Sequence, residues 1–129
     1  MPWTVLFHDA FAPEYEALSE TVQDAFVETA LLLQAVGPML GRPHVDTLSG
    51  SKHANMKELR FNAGDGVWRV AFAFDPEREA IILIAGDKSG VAQKRFYKSL
   101  IAKADKRFDA HLGTLKLVST ATRKKTPKG

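Results

Sequence analysis

Met56-Lys57-Glu58-Leu59-Arg60-Phe61, Val67-Trp68-Arg69-Val70-Ala71-Phe72-Ala73-Phe74 and Ala80-Ile81-Ile82-Leu83-Ile84-Ala85 are three β-prone runs separated by the short joints Asn62-Ala63-Gly64-Asp65-Gly66 and Asp75-Pro76-Glu77-Arg78-Glu79. Joints of that length connect neighbouring antiparallel strands, so the three runs predict a meander. Side chains alternate between the two faces of a strand. Trp68, Val70, Phe72 and Phe74 therefore share a face with Leu59 and Phe61, while Arg69, Ala71 and Ala73 share the other with Met56, Glu58 and Arg60. The first of these faces must take helices. The third run is apolar on both sides, which marks a central or well-covered strand.

Outward from this meander the pattern changes period. Residues 3–7 predict a short strand and residues 9–18 a short helix, with Pro13 and Glu14 placed as in a first turn. Ser19 is positioned to cap a second helix, in which Val22, Ala25, Phe26, Ala30, Leu33 and Val36 recur at helical spacing until Gly37-Pro38 stops it. Residues 39–55 read as a loop with one turn of helix near residues 45–48, and a connection that long is either part of a site or conceals a short element. From Ser89 a further helix carries Phe96, Leu100, Ala104, Phe108 and Leu112, with Gly113 closing it. Residues 116–129 lose the pattern and end in Arg123-Lys124-Lys125-Thr126-Pro127-Lys128-Gly129, read as a disordered basic tail. The expectation is an α+β domain over residues 1–115: an antiparallel sheet with an N-terminal strand, two N-terminal helices and a C-terminal helix on one sheet face, and a basic nucleic-acid site on the other.

With 129 residues, 45% apolar and 26% charged, the chain suits one hydrophobic core. It contains no cysteine, which excludes disulfides, Cys-ligated metals and a thiol nucleophile. No apolar run approaches the roughly 20 residues that span a bilayer. No Lys or Arg precedes an apolar stretch at the N-terminus, so a cytoplasmic location is expected. The net charge of +3 conceals a gradient: −6 over residues 1–48, where Arg42 is the lone base, +4 over 49–115 and +5 over 116–129. Such a gradient suits a polyanion-binding face beside one that avoids polyanions, and also occurs on ordinary surfaces.

Arg60 and Arg69 fall on the same face of one hairpin, next to the small side chains of Ala71 and Ala73. Two guanidinium groups there can converge on a planar anion such as a phosphodiester, or can simply pair with Glu58 or Asp87. Further cations crowd the ends of these elements: Lys52, His53 and Lys57 before the first strand, Lys88 after the third, and Lys94, Arg95 and Lys98 on the last helix. Tyr97 among them can stack on a base or donate its hydroxyl, or can belong to the core beside Phe96. His8, His44, His53 and His111 lack metal-ligand spacing, and there is no Walker or Gly-x-Ser-x-Gly motif. The tail can hold RNA electrostatically or be solvated and inert.

Leu48-Ser49-Gly50-Ser51 leading into Met56-Lys57-Glu58-Leu59-Arg60-Phe61, then Gly66-Val67-Trp68-Arg69-Val70-Ala71-Phe72, then Gly86-Asp87-Lys88-Ser89 and Lys94-Arg95-Phe96-Tyr97, resembles the RelE/ParE toxin superfamily in its phage-derived, HigB-like branch. The resemblance covers about residues 3–112. It implies a microbial RNase fold and the toxin of a type II toxin–antitoxin system. Such a toxin cuts mRNA, commonly on the ribosome, without metal or cofactor, and is silenced by a helix-turn-helix antitoxin. Carried over by position, Arg60 and Arg69 would bind the phosphate, Lys57 and Lys88 would be secondary cations or proton-transfer groups, Glu58 a base, and Tyr97 an acid or stacking group. Lys52, His53, Lys94, Arg95 and Lys98 would contact RNA. Some HigB-type toxins have a histidine after the last strand, and none stands here, so the resemblance leaves proton transfer unassigned. The superfamily's ParE branch implies an alternative, a toxin that inhibits DNA gyrase without nuclease activity. A non-toxic basic binding module is a third reading.

Overall fold

The computed structural model describes residues 2–125. In chain order the elements are β1 (Val5–Phe7), α1 (Phe11–Glu16), α2 (Glu20–Val36), a 3-10 turn (Gly37–Met39), β2 (Val45–Thr47), β3 (Lys57–Ala63), β4 (Gly66–Phe74), β5 (Ala80–Asp87) and α3 (Gln93–Lys125). The strands form one sheet in the order β1-β5-β4-β3-β2, antiparallel except that β1 runs parallel to β5 at the edge. The meander is β3-β4-β5, as its short joints require. The first joint tightens to Gly64-Asp65, with Gly64 at φ 57°, a conformation that favours glycine.

α2 begins and ends where its punctuation places it. Ser19 Oγ accepts the Val22 N–H at 3.3 Å, and the Gly37 N–H donates to Leu33 O with Gly37 at φ 72°. A Cβ on Gly37 would fall 2.2 Å from Trp3 Nε1, so glycine also lets the N-terminal segment cross the helix end.

Both faces of the sheet are covered, which corrects the expectation of helices on one face only. α1 and α2 bury Phe11, Phe26 and Leu33 against Val45, Leu59, Val70, Phe72 and Ile82. α3 lies on the opposite face, burying Phe96, Leu100, Ala104 and Phe108 against Ala71, Ala73, Ile81 and Leu83. The physical reason is the two-sided apolar character of β5: leaving either side open would expose Ile81 and Leu83 or Ile82, each of them 1% accessible or less. Ala71 and Ala73 are the seat for α3, not the floor of an open depression.

Two further expectations change. Residues 45–47, anticipated as a turn of helix, form β2, whose Val45, Asp46 and Thr47 pair with Leu59, Glu58 and Lys57. A three-residue strand is too short for alternation to reveal. α3 also does not stop at Gly113 and continues to Lys125, so residues 116–125 of the expected irregular tail are helical; residues 126–129 lie outside the described residues. Glycine in mid-helix costs only about 1 kcal/mol, and Gly113 is not among the positive-φ glycines that end helices.

Candidate nucleic-acid site

The site is assembled where the β2-β3-β4 end of the sheet meets the first turns of α3. Register places Asp46 opposite Glu58, and Arg60 opposite Arg69, on the α3 side of the sheet. Next to Arg69 stands Gly86 of β5. A Cβ on Gly86 would lie 2.9 Å from Phe96 Cε1, so the missing side chain lets the start of α3 press onto the strand. With Phe96 seated there, its neighbour Tyr97 reaches across the sheet and donates its hydroxyl to Glu58 Oε1 at 2.8 Å.

Glu58 is the electrostatic centre. It is 5% accessible, with Arg69 Nε 3.8 Å from Oε1 and Arg60 Nε 3.9 Å from Oε2. Burial raises its pKa above the ordinary glutamate value, against the lowering effects of the Tyr97 hydrogen bond and of Arg69 and Arg60; the facing Asp46 adds to the rise. Tyr97 is likewise raised, by burial first and then by Glu58. Lys88 is lowered by burial and by the positive charges of Arg69 and Arg60, with Glu58 opposing. Its ammonium lies 5.9 Å from the centroid of the Tyr97 ring.

These groups border an open cleft of about 690 Å³ between the start of α3, which contributes Gln93, Lys94, Tyr97 and Ile101, and residues 46–50, Glu58, Arg60 and Lys88. The two arginines adjoin as expected but differ in role. Arg60 opens into the cleft with a third of its side chain accessible, whereas Arg69 is 7% accessible and lies behind it. Arg69 donates from one terminal nitrogen to Trp68 O at 2.9 Å, while its Nε has no hydrogen-bond partner. Arg69 thus stands behind Glu58 and Tyr97, and its charge opposes the rise in the pKa of both. Asp87 pairs with neither arginine; it accepts from the Val67 and Ser89 N–H groups and the Ser89 hydroxyl, fixing the turn that presents Lys88.

The remaining candidates separate. Lys94 is in the cleft, and Arg95 and Lys98 are exposed on α3 without lining it. Lys57, on the opposite side of β3 from Glu58, reaches Pro38 O at 3.5 Å near the end of α2. Lys52 forms an ion pair with Asp109, and His53 Nε2 lies 2.8 Å from the same carboxylate, far along α3. That loop is tied down a second time by the Ser51 hydroxyl on Asp105. Asp46, which the sequence reading did not single out, holds Arg42 at 3.0 Å and lies 3.9 Å from Arg60. Its signal was position: once β2 pairs with β3, Asp46 must face Glu58. Among the described residues no group of three or more His, Asp or Glu is disposed to hold a metal ion.

Residues 13–109 match the family described as phage-derived protein Gp49-like. The chain belongs to that family. Two relatives from Mycobacterium tuberculosis are similar to this Gp49-like chain. The candidate toxin HigB2 is 44% identical over 95 residues, 73% of this chain and 47% of that protein. The candidate toxin HigB3 is 49% identical over 83 residues, 64% of this chain and 70% of that protein. The chain thus spans about half the length of HigB2. Among solved structures, an arginine double mutant of the Escherichia coli toxin RelE in the free state aligns with a TM-score of 0.51 at 15% identity, covering 80% of this chain and 97% of that one. The archaeal RelE–RelB complex from Pyrococcus horikoshii gives a TM-score of 0.52 at 18% identity, covering 70% and 100%. The Gp49-like chain therefore has the RelE fold, an α+β architecture with a mostly antiparallel five-stranded sheet, and the resemblance to the HigB-like branch holds. No described helix is long and apolar enough to cross a membrane.

Proposed function

We propose that this chain is the toxin of a type II toxin–antitoxin pair and cleaves mRNA by attack of a ribose 2′-hydroxyl on the adjacent phosphate, with side-chain cations in the role a metal would otherwise play. The observation that carries this reading is the convergence of Arg60, Lys88 and Lys94 with the Glu58–Tyr97 pair in one cleft. Arg60 binds the phosphate and neutralises charge as the phosphorane forms. Glu58, raised by burial, accepts the 2′-hydroxyl proton as the 2′-oxygen bonds to phosphorus. Lys88, lowered by burial and then by its cationic neighbours, returns a proton to the departing 5′-oxygen as its bond to phosphorus breaks. The products are a 2′,3′-cyclic phosphate and a 5′-hydroxyl. Arg69 positions Glu58, and Tyr97 holds that carboxylate and offers a ring face to a base. The reading includes a ribosome-associated substrate in the cytoplasm and a helix-turn-helix antitoxin that silences the cleft.

The test is a coupled translation reaction supplied with purified protein. New mRNA ends are expected, and Arg60→Ala should reduce their rate by about 10²–10³-fold, the usual cost of removing one preorganised charge-stabilising donor. Intact mRNA together with stalled DNA gyrase would replace this reading with the ParE-like one.

A further inference from the structure

Arg42 is the lone base among residues 1–48, and it stands on Asp46, the one acid of that stretch that lines the cleft. Its Nε and a terminal nitrogen lie 3.1 and 3.0 Å from Asp46 Oδ2. Asp46 Oδ1 accepts the Thr47 N–H at 2.9 Å. Both oxygens of this carboxylate are therefore engaged, and Arg60 Nη1 stays 3.9 Å from Oδ2.

Arg60 is held off on its other side as well. Its Nε lies 3.9 Å from Glu58 Oε2, while Oε1 of the same carboxylate takes the Tyr97 hydroxyl. At 3.9 Å neither contact is a hydrogen bond. In the β2–β3 register Asp46 faces Glu58, so Arg60 is drawn by two carboxylates and engaged by neither. Its N–H groups are left for a phosphate. With one carboxylate gone, the other would draw the guanidinium into a close pair that uses up those donors.

We infer that Asp46 is a positioning residue of the cleft: fixed by Arg42, it keeps Arg60 from closing on Glu58 and so preserves the phosphate donor and the base together. The inference rests on the cleavage reading above and adds to it a pair, Arg42 and Asp46, that acts through Arg60.

The charges around Glu58 give this arrangement a signature. Glu58 is faced by Asp46 from β2, Arg60 on β3, Arg69 from β4, Lys88 beyond β5 and Tyr97 from α3. Its pKa is raised by burial first and further by Asp46, against Tyr97, Arg69 and Arg60. Asp46 itself is held below the ordinary aspartate value, by the Arg42 hydrogen bond first and then by the Thr47 N–H, so it stays charged while Glu58 titrates. Loss of the Asp46 charge would remove one raising influence and let Arg60 approach. Both changes lower the Glu58 pKa.

Two readouts test the inference: the cleavage rate in a translating reaction, and carbon-13 NMR titration of the Glu58 carboxyl, which needs no activity. Asp46→Asn keeps an acceptor for the Thr47 N–H, so folding is not at stake. It should slow cleavage about tenfold, through a misplaced Arg60, and move the Glu58 titration to lower pH. Arg42→Ala frees Asp46 to close on Arg60. It should also slow cleavage about tenfold, without lowering the Glu58 pKa. Arg42→Lys keeps a cation on Asp46 and should retain most of the rate. An Asp46→Asn variant with wild-type cleavage and an unmoved Glu58 titration would overturn the inference, as would a downward shift in Arg42→Ala. A wild-type chain that leaves mRNA intact would overturn the cleavage reading instead, and the titration would still decide whether Asp46 holds Arg60 off Glu58.

Discussion

The two faces of the sheet are built from different materials. Under α1 and α2 the packing is aromatic: Phe26 makes ring contacts with Phe7, Phe11, Tyr15 and Phe61 at centroid distances of 5.5–6.1 Å. Under α3 the sheet contributes Ala71, Ala73, Ile81 and Leu83, and toward one end the same layer gives way to Glu58, Arg69 and Tyr97. The aromatic face supplies stability without polar cost. The α3 face carries a buried carboxylate and an arginine whose Nε has no hydrogen-bond partner, groups that destabilise a core and are retained where chemistry needs them.

The largest effect expected from this division is Phe26→Ala, which should cost about 3–5 kcal/mol in chemical denaturation because it empties the centre of the ring cluster. A smaller cost, about 1–3 kcal/mol, is expected for Gly86→Ala, whose new methyl must displace Phe96. That variant should also lose cleavage activity, because Tyr97 moves with Phe96. A stable but inactive protein would sharpen the distinction between the faces, and a fully active one would break it.

Glu58→Gln should act in the opposite direction on stability. The folded-state pKa of Glu58 is raised, so the folded protein takes up its proton before the unfolded chain does as pH falls. The penalty is thus present in full above that raised pKa and absent below the ordinary glutamate value. Removing the charge should stabilise the protein by about 1 kcal/mol at neutral pH, with the gain vanishing in acid, while abolishing cleavage. Equal stabilisation at every pH would contradict burial as the cause. Smallest of all, Lys52→Ala and Lys57→Ala should leave cleavage unchanged, since one side chain is held by Asp109 and the other reaches Pro38 on the far side of β3.

Period-two alternation made the meander and the sorting of Arg60 and Arg69 to one face legible in advance, and Ser19 and Gly37-Pro38 did the same for the ends of α2. It did not show which face α3 would take, because alternation marks Ala71 and Ala73 only as small, and small residues serve an open depression or a closely seated helix equally well. β2 was hidden by its length, and with it Asp46. Lys52 and His53 were misplaced because sequence proximity to β3 says nothing about Asp109, more than fifty residues away. The unequal roles of the two arginines depend on Tyr97 reaching Glu58, a contact fixed only once Gly86 admits Phe96.

The central claim is that the cleft turns a ribose 2′-hydroxyl on its neighbouring phosphate. It is tested most directly by adding the protein to a translating reaction programmed with mRNA that carries one 2′-deoxy nucleotide at a mapped cleavage position. The account predicts that cleavage there disappears while all-ribose mRNA yields 2′,3′-cyclic phosphate and 5′-hydroxyl ends. Cleavage of the deoxy-substituted position at an undiminished rate, or 5′-phosphate ends on the products, would contradict it.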